Sequence, residues 1–160
     1  MANFFHANEI AKAAVEIERK GYAFYRKVAE LAQNDETRQL FEYLAGEEHK
    51  HEAIFQSLYD RLGEIELPAW STQDEYGEYL DALITSHALF TSGLAEKYMS
   101  QAQDEDTAIR MAMAFEKDTI LFFMEMRELT PDSEKAAVQQ CIDEERLHLR
   151  RLRAMQQKKK

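Results

Sequence analysis

Cysteine and proline are nearly missing from this chain. It has one cysteine, Cys141, and no Cys-x-x-Cys pair. An intrachain disulfide is therefore excluded, as is a four-thiolate iron site or a structural zinc site built from thiolates. Two prolines and five glycines leave few places for turns. No apolar stretch approaches the ~20 residues needed to span a bilayer. The N-terminus lacks a basic segment followed by an apolar run and a cleavage site, so a cytoplasmic location is expected. Positive charge is also scarce: 20 Lys and Arg stand against 30 Asp and Glu, a net charge of −10. Such a surface repels phosphate backbones, and nucleic-acid binding is not expected.

What is abundant favours helix. Ala, Leu, Glu, Lys, Gln, Arg and Met dominate, and 45% of the 160 residues are apolar. An all-α fold with one real core follows, a single domain over 1–160. The first long helix is expected from about Asn8 to Gln33, and the second from the Asn34-Asp35 turn to Leu62, with Gly63 as its stop. A loop over Pro68 to Thr72 precedes a helix from Asp74 to His87, with Ser71 or Thr72 as its cap. A shorter helix capped by Thr91 or Ser92 is expected to run to Ala102. The third long helix runs from Asp104 to Leu129. Thr130-Pro131-Asp132 breaks the chain, and Asp132 or Ser133 caps the fourth, which continues to Met155. Lys158 to Lys160 reads as a solvated tail after 156. Two short turns make two helical hairpins joined by a long helical crossover over about 64–103, the connection of a ferritin-like four-helix bundle.

Two stretches read Glu-Glu-x-x-His: Glu47, Glu48 and His51, then Glu144, Glu145 and His148. Each follows a helix with one isolated glutamate on its apolar face, Glu18 or Glu116. Glu18 to Glu48 is 30 residues and Glu116 to Glu145 is 29, so the halves repeat weakly. On a helix, offsets of −7, −4, +3 and +7 share a face. From Glu18, Glu48, Glu116 and Glu145, position −7 holds Ala11, Phe41, Ile109 and Val138. Position −4 holds Ala14, Leu44, Ala112 and Cys141. Position +7 holds Tyr25, Phe55, Phe123 and Leu152. All twelve are apolar or aromatic, so each glutamate points into the core. At +3 stand His51 and His148 on two helices, Gly21 and Thr119 on the others.

Buried carboxylates without partners cost several kcal/mol each, and no inward Lys or Arg neutralises these four. Two divalent cations would. The expected metal ligands are Glu18, Glu48, His51, Glu116, Glu145 and His148. A carboxylate–imidazole donor set suits Fe or Mn better than Zn. Glu47 and Glu144 lie about 100° away, at the edge of the stripe; a solvated flank is their simpler reading, a turn toward a partner helix the other. Tyr25 reads either as a hydrogen-bond donor to a ligand carboxylate or as a core aromatic. His49 and His6 read as surface residues. His87 reads as a histidine at a helix C-terminus, where it meets the helix dipole favourably. Cys141 reads as an inert buried thiol. Met111, Met113, Phe115, Leu121, Phe122 and Met124 lie off the metal-facing stripe and need a second cover, part from the crossover and the rest from a homodimer interface.

The chain resembles the rubrerythrin family. The resemblance rests on Ile17 to Tyr25, Leu44 to His51, Ala114 to Asp118 and Ile142 to His148, and it extends over the whole chain, crossover included. It implies a non-haem di-iron site with Glu18 and Glu116 as lone carboxylates and Glu48/His51 and Glu145/His148 as paired ligands, the paired glutamates bridging. It implies an oxidoreductase that reduces hydrogen peroxide or dioxygen. Many rubrerythrins carry a rubredoxin domain; this chain has no cysteines for one, so electrons are expected from a separate protein such as a rubredoxin. Rubrerythrins proper also have an extra carboxylate one turn after the lone glutamate of the third long helix, where Thr119 stands here. The competing readings are a ferroxidase or iron store of ferritin or bacterioferritin type, and a metal-free helical interaction module.

Overall fold

The computed structural model describes residues 7–62, 73–87 and 104–160. Helix α1 spans Ala7–Leu31 and α2 spans Asp35–Arg61. The crossover supplies α3, Gln73–Ser86. Helices α4, Glu105–Leu129, and α5, Lys135–Lys158, complete the bundle. No strand occurs among the described residues. The α1–α2 and α4–α5 hairpins each pack tightly. Across the halves α1 meets α4 and α2 meets α5, while α3 lies on α4. Among the described residues no helix is long and apolar enough to cross a membrane.

Helix boundaries follow local chemistry. Asn34 caps α2 by accepting from the Thr37 amide at 3.1 Å. Asp104 caps α4 by accepting from the Asp106 amide at 3.1 Å. The expected cap of the last helix is corrected: α5 begins at Lys135 after Glu134, which makes no side-chain capping bond, and Asp132 instead pairs with Lys135 at 2.8 Å. Glu134 is drawn off by Arg61 at the end of α2, with nitrogen–oxygen distances of 3.1 and 3.0 Å. The C-terminal tail is also corrected. Helix α5 runs to Lys158, which meets Glu36, and Lys159 bonds Glu105. Gly63, the caps at Ser71 or Thr72, the short helix ending at Ala102, and His6 lie outside the described residues.

The twelve positions at −7, −4 and +7 are all buried, none more than 1% exposed. They belong to two apolar clusters. One gathers Ile10, Ala14, Ile17, Phe55, Leu58, Phe123, Val138 and Ile142, with Tyr76 and Leu80 from α3. The other gathers Phe24, Tyr25, Phe41, Leu44, Ile109, Ala112 and Leu152. Along each of the four long helices the proposed ligands fall between the two clusters. The acidic layer is thus a polar slab between two hydrocarbon plugs. Helix α3 is clasped to α4 where Tyr76 and Tyr79 donate to the Glu125 carboxylate at 3.0 and 3.1 Å.

Glu105 ties the halves together at one end. Its carboxylate accepts from the amides of Gln33 and Asn34, both at 2.9 Å, from the Thr37 hydroxyl at 3.1 Å, and from Lys159. Burial works against its ionised form, but these donors outweigh it and hold its pKa down at about 2. Glu105→Ala would leave the α1–α2 turn without its acceptor, and a loss of about 1–3 kcal/mol is expected. Urea denaturation of the variant reads this; an unchanged midpoint and slope would contradict the role.

Candidate metal centre

Six side chains converge at the middle of the bundle. Glu18, His51, Glu145 and His148 are inaccessible, and Glu48 and Glu116 nearly so. They fall into two groups of four: Glu18, Glu48, His51 and Glu145, and Glu48, Glu116, Glu145 and His148. Within each group the potential ligand atoms lie within 4.8 Å of one another. Glu48 and Glu145 stand in both groups. The remaining pairs, Glu18 with His51 and Glu116 with His148, are related by the internal repeat.

Both imidazoles present Nδ1 to the carboxylates. His51 Nδ1 is 2.7 Å from Glu145 Oε1 and 3.5 Å from Glu18 Oε2. His148 Nδ1 is 2.9 Å from Glu145 Oε2, 3.6 Å from Glu116 Oε1 and 3.7 Å from Glu48 Oε1. The rings stack with centroids 5.9 Å apart.

The outer contacts differ between the halves. His51 Nε2 lies 2.6 Å from Glu144 Oε2. Glu144 is therefore no solvated flank; of the two readings, the turn toward a partner helix holds. Glu47, its counterpart, takes Lys50 at 2.5 Å instead. His148 Nε2 is buried without a partner, next to the ring of Tyr43, which carries the Arg151 guanidinium 4.3 Å above it. Tyr25 is buried, and its hydroxyl donates to Glu116 Oε1 at 2.6 Å. That settles its two readings in favour of a donor to a site carboxylate. His49 is exposed on the outside of α2, as expected. His87 is not merely a helix-end residue: it is fully buried, and its Nε2 lies 3.0 Å from the Thr119 hydroxyl. Spacing along one helix could not reveal that contact; the only hint was the small residues, Gly21 and Thr119, at the two +3 positions lacking histidine.

The electrostatics explain why this set suits cations. Burial, then the Glu145 charge, push Glu18 and Glu48 well above the usual carboxylate range, and the same two causes raise Glu116 to about 8. Glu145 goes the other way. Burial opposes its charge, but bonds from His148 and His51 hold it far below the usual range. Burial disfavours the charged imidazoles too, yet bonds to Glu145 lift His51 to about 11, and bonds to Glu116 and Glu145 lift His148 to about 10. Protons are the substitute for metal in this arrangement. They do not suffice: both Glu18 oxygens, Glu48 Oε1 and His148 Nε2 remain buried without a hydrogen-bond partner. Orphaned carboxylate oxygens beside two imidazoles fit a pair of divalent cations.

The model of the family described as Rubrerythrin matches residues 9–156. The chain belongs to the rubrerythrin family. Among solved structures, a ferritin-like diiron-carboxylate protein of Thermotoga maritima aligns with a TM-score of 0.68 at 22% identity, covering 98% of each chain. At that identity the likeness shows the ferritin-like fold. No curated protein matches the sequence.

Gly21 lets Glu48 approach α1 closely. A Cβ there would stand 3.0 Å from Glu48 Oε2, whereas a Cβ at Gly46 meets nothing within 4 Å. Gly21→Val is expected to lower metal affinity at least about tenfold by displacing Glu48. Gly46→Ala is expected to leave metal affinity alone and add about 0.5–1 kcal/mol of helix stability. Metal titration and thermal melts of both variants check this; equal metal affinities would contradict it.

A pH dependence also follows for the metal-free protein. The folded state keeps protons on Glu116 up to about 8, where the unfolded chain releases them near 4.5. It keeps them on His51 and His148 up to about 11 and about 10, where the unfolded chain releases them near 6.5. The folded state binds more protons across this range, so stability falls as pH rises. Tm of metal-free protein should decline from mildly acidic to alkaline pH. A flat or rising profile would contradict the assigned shifts.

Proposed function

We propose that this chain is a non-haem di-iron oxidoreductase that reduces hydrogen peroxide, or dioxygen, with electrons from a separate redox protein such as a rubredoxin. The observation that carries the reading is the pair of overlapping four-residue groups, buried and with orphaned acceptor atoms at their centre. Glu18 and His51 would hold one ion and Glu116 and His148 the other, with Glu48 and Glu145 available to both. Two iron ions held there would supply two reducing equivalents and Lewis acidity, and manganese or zinc can occupy the same donors.

The chain's own residues supply the rest. Glu144 on His51 Nε2 holds that nitrogen's proton, which leaves the Nδ1 lone pair for the centre. Tyr25 fixes Glu116 by a short bond and cannot readily ionise, because burial and the Glu116 charge raise its pKa. Phe41, Phe55 and Phe123 exclude water above and below the layer. Gly21 lets the Glu48 carboxylate pack against α1, where a Cβ would meet Glu48 Oε2 at 3.0 Å. The net reaction consumes peroxide, two electrons and two protons and yields two waters.

A homodimer is the assembly this reading expects, but of the apolar residues off the metal-facing stripe Met111, Phe115 and Phe122 are already buried within the chain, and Leu121, 45% exposed, is the one left open to a partner among the described residues. The ferritin-type alternative requires a hollow cage, and native mass separates the two: a dimer or tetramer supports the enzyme, a 24-mer the store.

Protein purified without oxygen should bind two metal ions per chain. Glu18→Ala should lose one, and Glu145→Ala, removing a shared ligand, should lose both. Stopped-flow oxidation of the reduced protein should be faster with peroxide than with dioxygen. Metal analysis finding none in a fully folded wild type, or faster oxidation by dioxygen, would overturn the respective part.

A further inference from the structure

The two halves of the centre share a register of ligands but not the residues that back them. An imidazole that gives its Nδ1 lone pair to a cation carries its proton on Nε2. That proton, once buried, needs an acceptor. His51 has one: its Nε2 lies 2.6 Å from Glu144 Oε2. The other Glu144 oxygen accepts from the Gln140 side-chain amide at 3.1 Å, which holds the carboxylate facing the ring. His148 has none: its Nε2 is buried without a hydrogen-bond partner.

The sequence shows why the repeat breaks at this point. Glu47 precedes Glu48 as Glu144 precedes Glu145, so by the repeat it would serve His148. Lys50, three residues after Glu47, takes it at 2.5 Å; Leu147, three after Glu144, offers no charge. Tyr43 stands four residues before Glu47, where Gln140 stands four before Glu144. Gln140 orients its glutamate, whereas Tyr43 packs edge-on against the His148 ring, centroids 5.9 Å apart. The exposed Arg151 guanidinium, 4.3 Å over Tyr43, adds a positive charge on that side.

Tyr25 works partly the other way. It orients Glu116 by donating to Oε1 at 2.6 Å, while both Glu18 oxygens lack a donor. A neutral hydroxyl draws negative charge from its carboxylate, however, and Glu144 adds negative charge to its imidazole. For a divalent cation the charges decide.

We propose that the two positions are unequal: Glu18 and His51 take up the first divalent ion and hold it more tightly than Glu116 and His148 hold the second, and Glu144 is the positioning residue that sets this order. The proposal rests on the two-ion reading of the centre and on no step of the peroxide chemistry. At limiting metal the chain then carries a single ion, beside Glu18 and His51.

Manganese(II), added to the metal-free full chain, is the probe. Glu116→Ala leaves the Glu18/His51 position for one ion, and Glu18→Ala leaves the Glu116/His148 position. Glu116→Ala should bind manganese roughly 10–100-fold more tightly than Glu18→Ala. Adding Glu144→Ala should weaken binding in Glu116→Ala by roughly 10–100-fold and change it in Glu18→Ala by no more than about threefold. A merely structural role for Glu144 would weaken both positions alike. That result, no effect on either, or tighter binding by Glu18→Ala than by Glu116→Ala would overturn the proposal. The second measurement needs no substitution and stands even where a variant fails to fold. Crystals of wild type supplied with substoichiometric manganese should show the anomalous peak beside Glu18 and His51. Equal peaks, or a stronger one beside Glu116 and His148, would overturn the order of loading while leaving the two-ion reading intact. A folded wild type that takes up no manganese would sink that reading, and the proposal with it.

Discussion

Four carboxylates facing one another in a dry interior are the constraint around which this protein is organised. Their mutual repulsion and desolvation work against the fold, and no buried lysine or arginine among the described residues offsets them. Protons and two imidazoles neutralise the layer in part, which is why Glu18, Glu48 and Glu116 are driven up while Glu145, with both histidines on it, is driven down. The hydrocarbon clusters on either side hold the layer closed. Neither cluster alone would tolerate it; together they fix four helices so that the acidic groups cannot turn away. A pair of cations would complete what the side chains leave undone.

The internal repeat gives the layer its form, and departures from the repeat give it direction. Glu18 with His51 mirrors Glu116 with His148, and Glu48 mirrors Glu145. Outside that inner set the symmetry breaks. His51 is backed by Glu144, whereas Glu47 turns to Lys50 and leaves His148 against Tyr43. Glu48 packs against Gly21, whereas Thr119, at the matching position, reaches His87. A symmetric donor set in an asymmetric surround would give two ions held there different basicity.

Much of this was legible in the sequence because burial on a helix is periodic. The twelve apolar positions around the four glutamates share faces by geometry alone, and all twelve are buried. The same periodicity brought Glu18, Glu48, Glu116 and Glu145 together and placed the histidines beside them. Periodicity describes one helix at a time, however. The bond from His51 to Glu144 crosses between helices, so an edge position on α5 left both readings of Glu144 open. The burial of His87 depends on how the crossover lies on α4. The start of α5 was misplaced for a related reason: Arg61, from another helix, holds Glu134 while Asp132 pairs locally with Lys135. Lys159 looked like tail because its partner, Glu105, is 54 residues away.

The most direct test of the central claim is anomalous X-ray scattering at the iron edge from crystals of protein grown without oxygen and supplied with ferrous iron. The account predicts two peaks per chain, one beside Glu18 and His51 and one beside Glu116 and His148, with Glu48 and Glu145 between them. A single peak, none, or peaks bound by other residues while the six side chains stay as they are would contradict it.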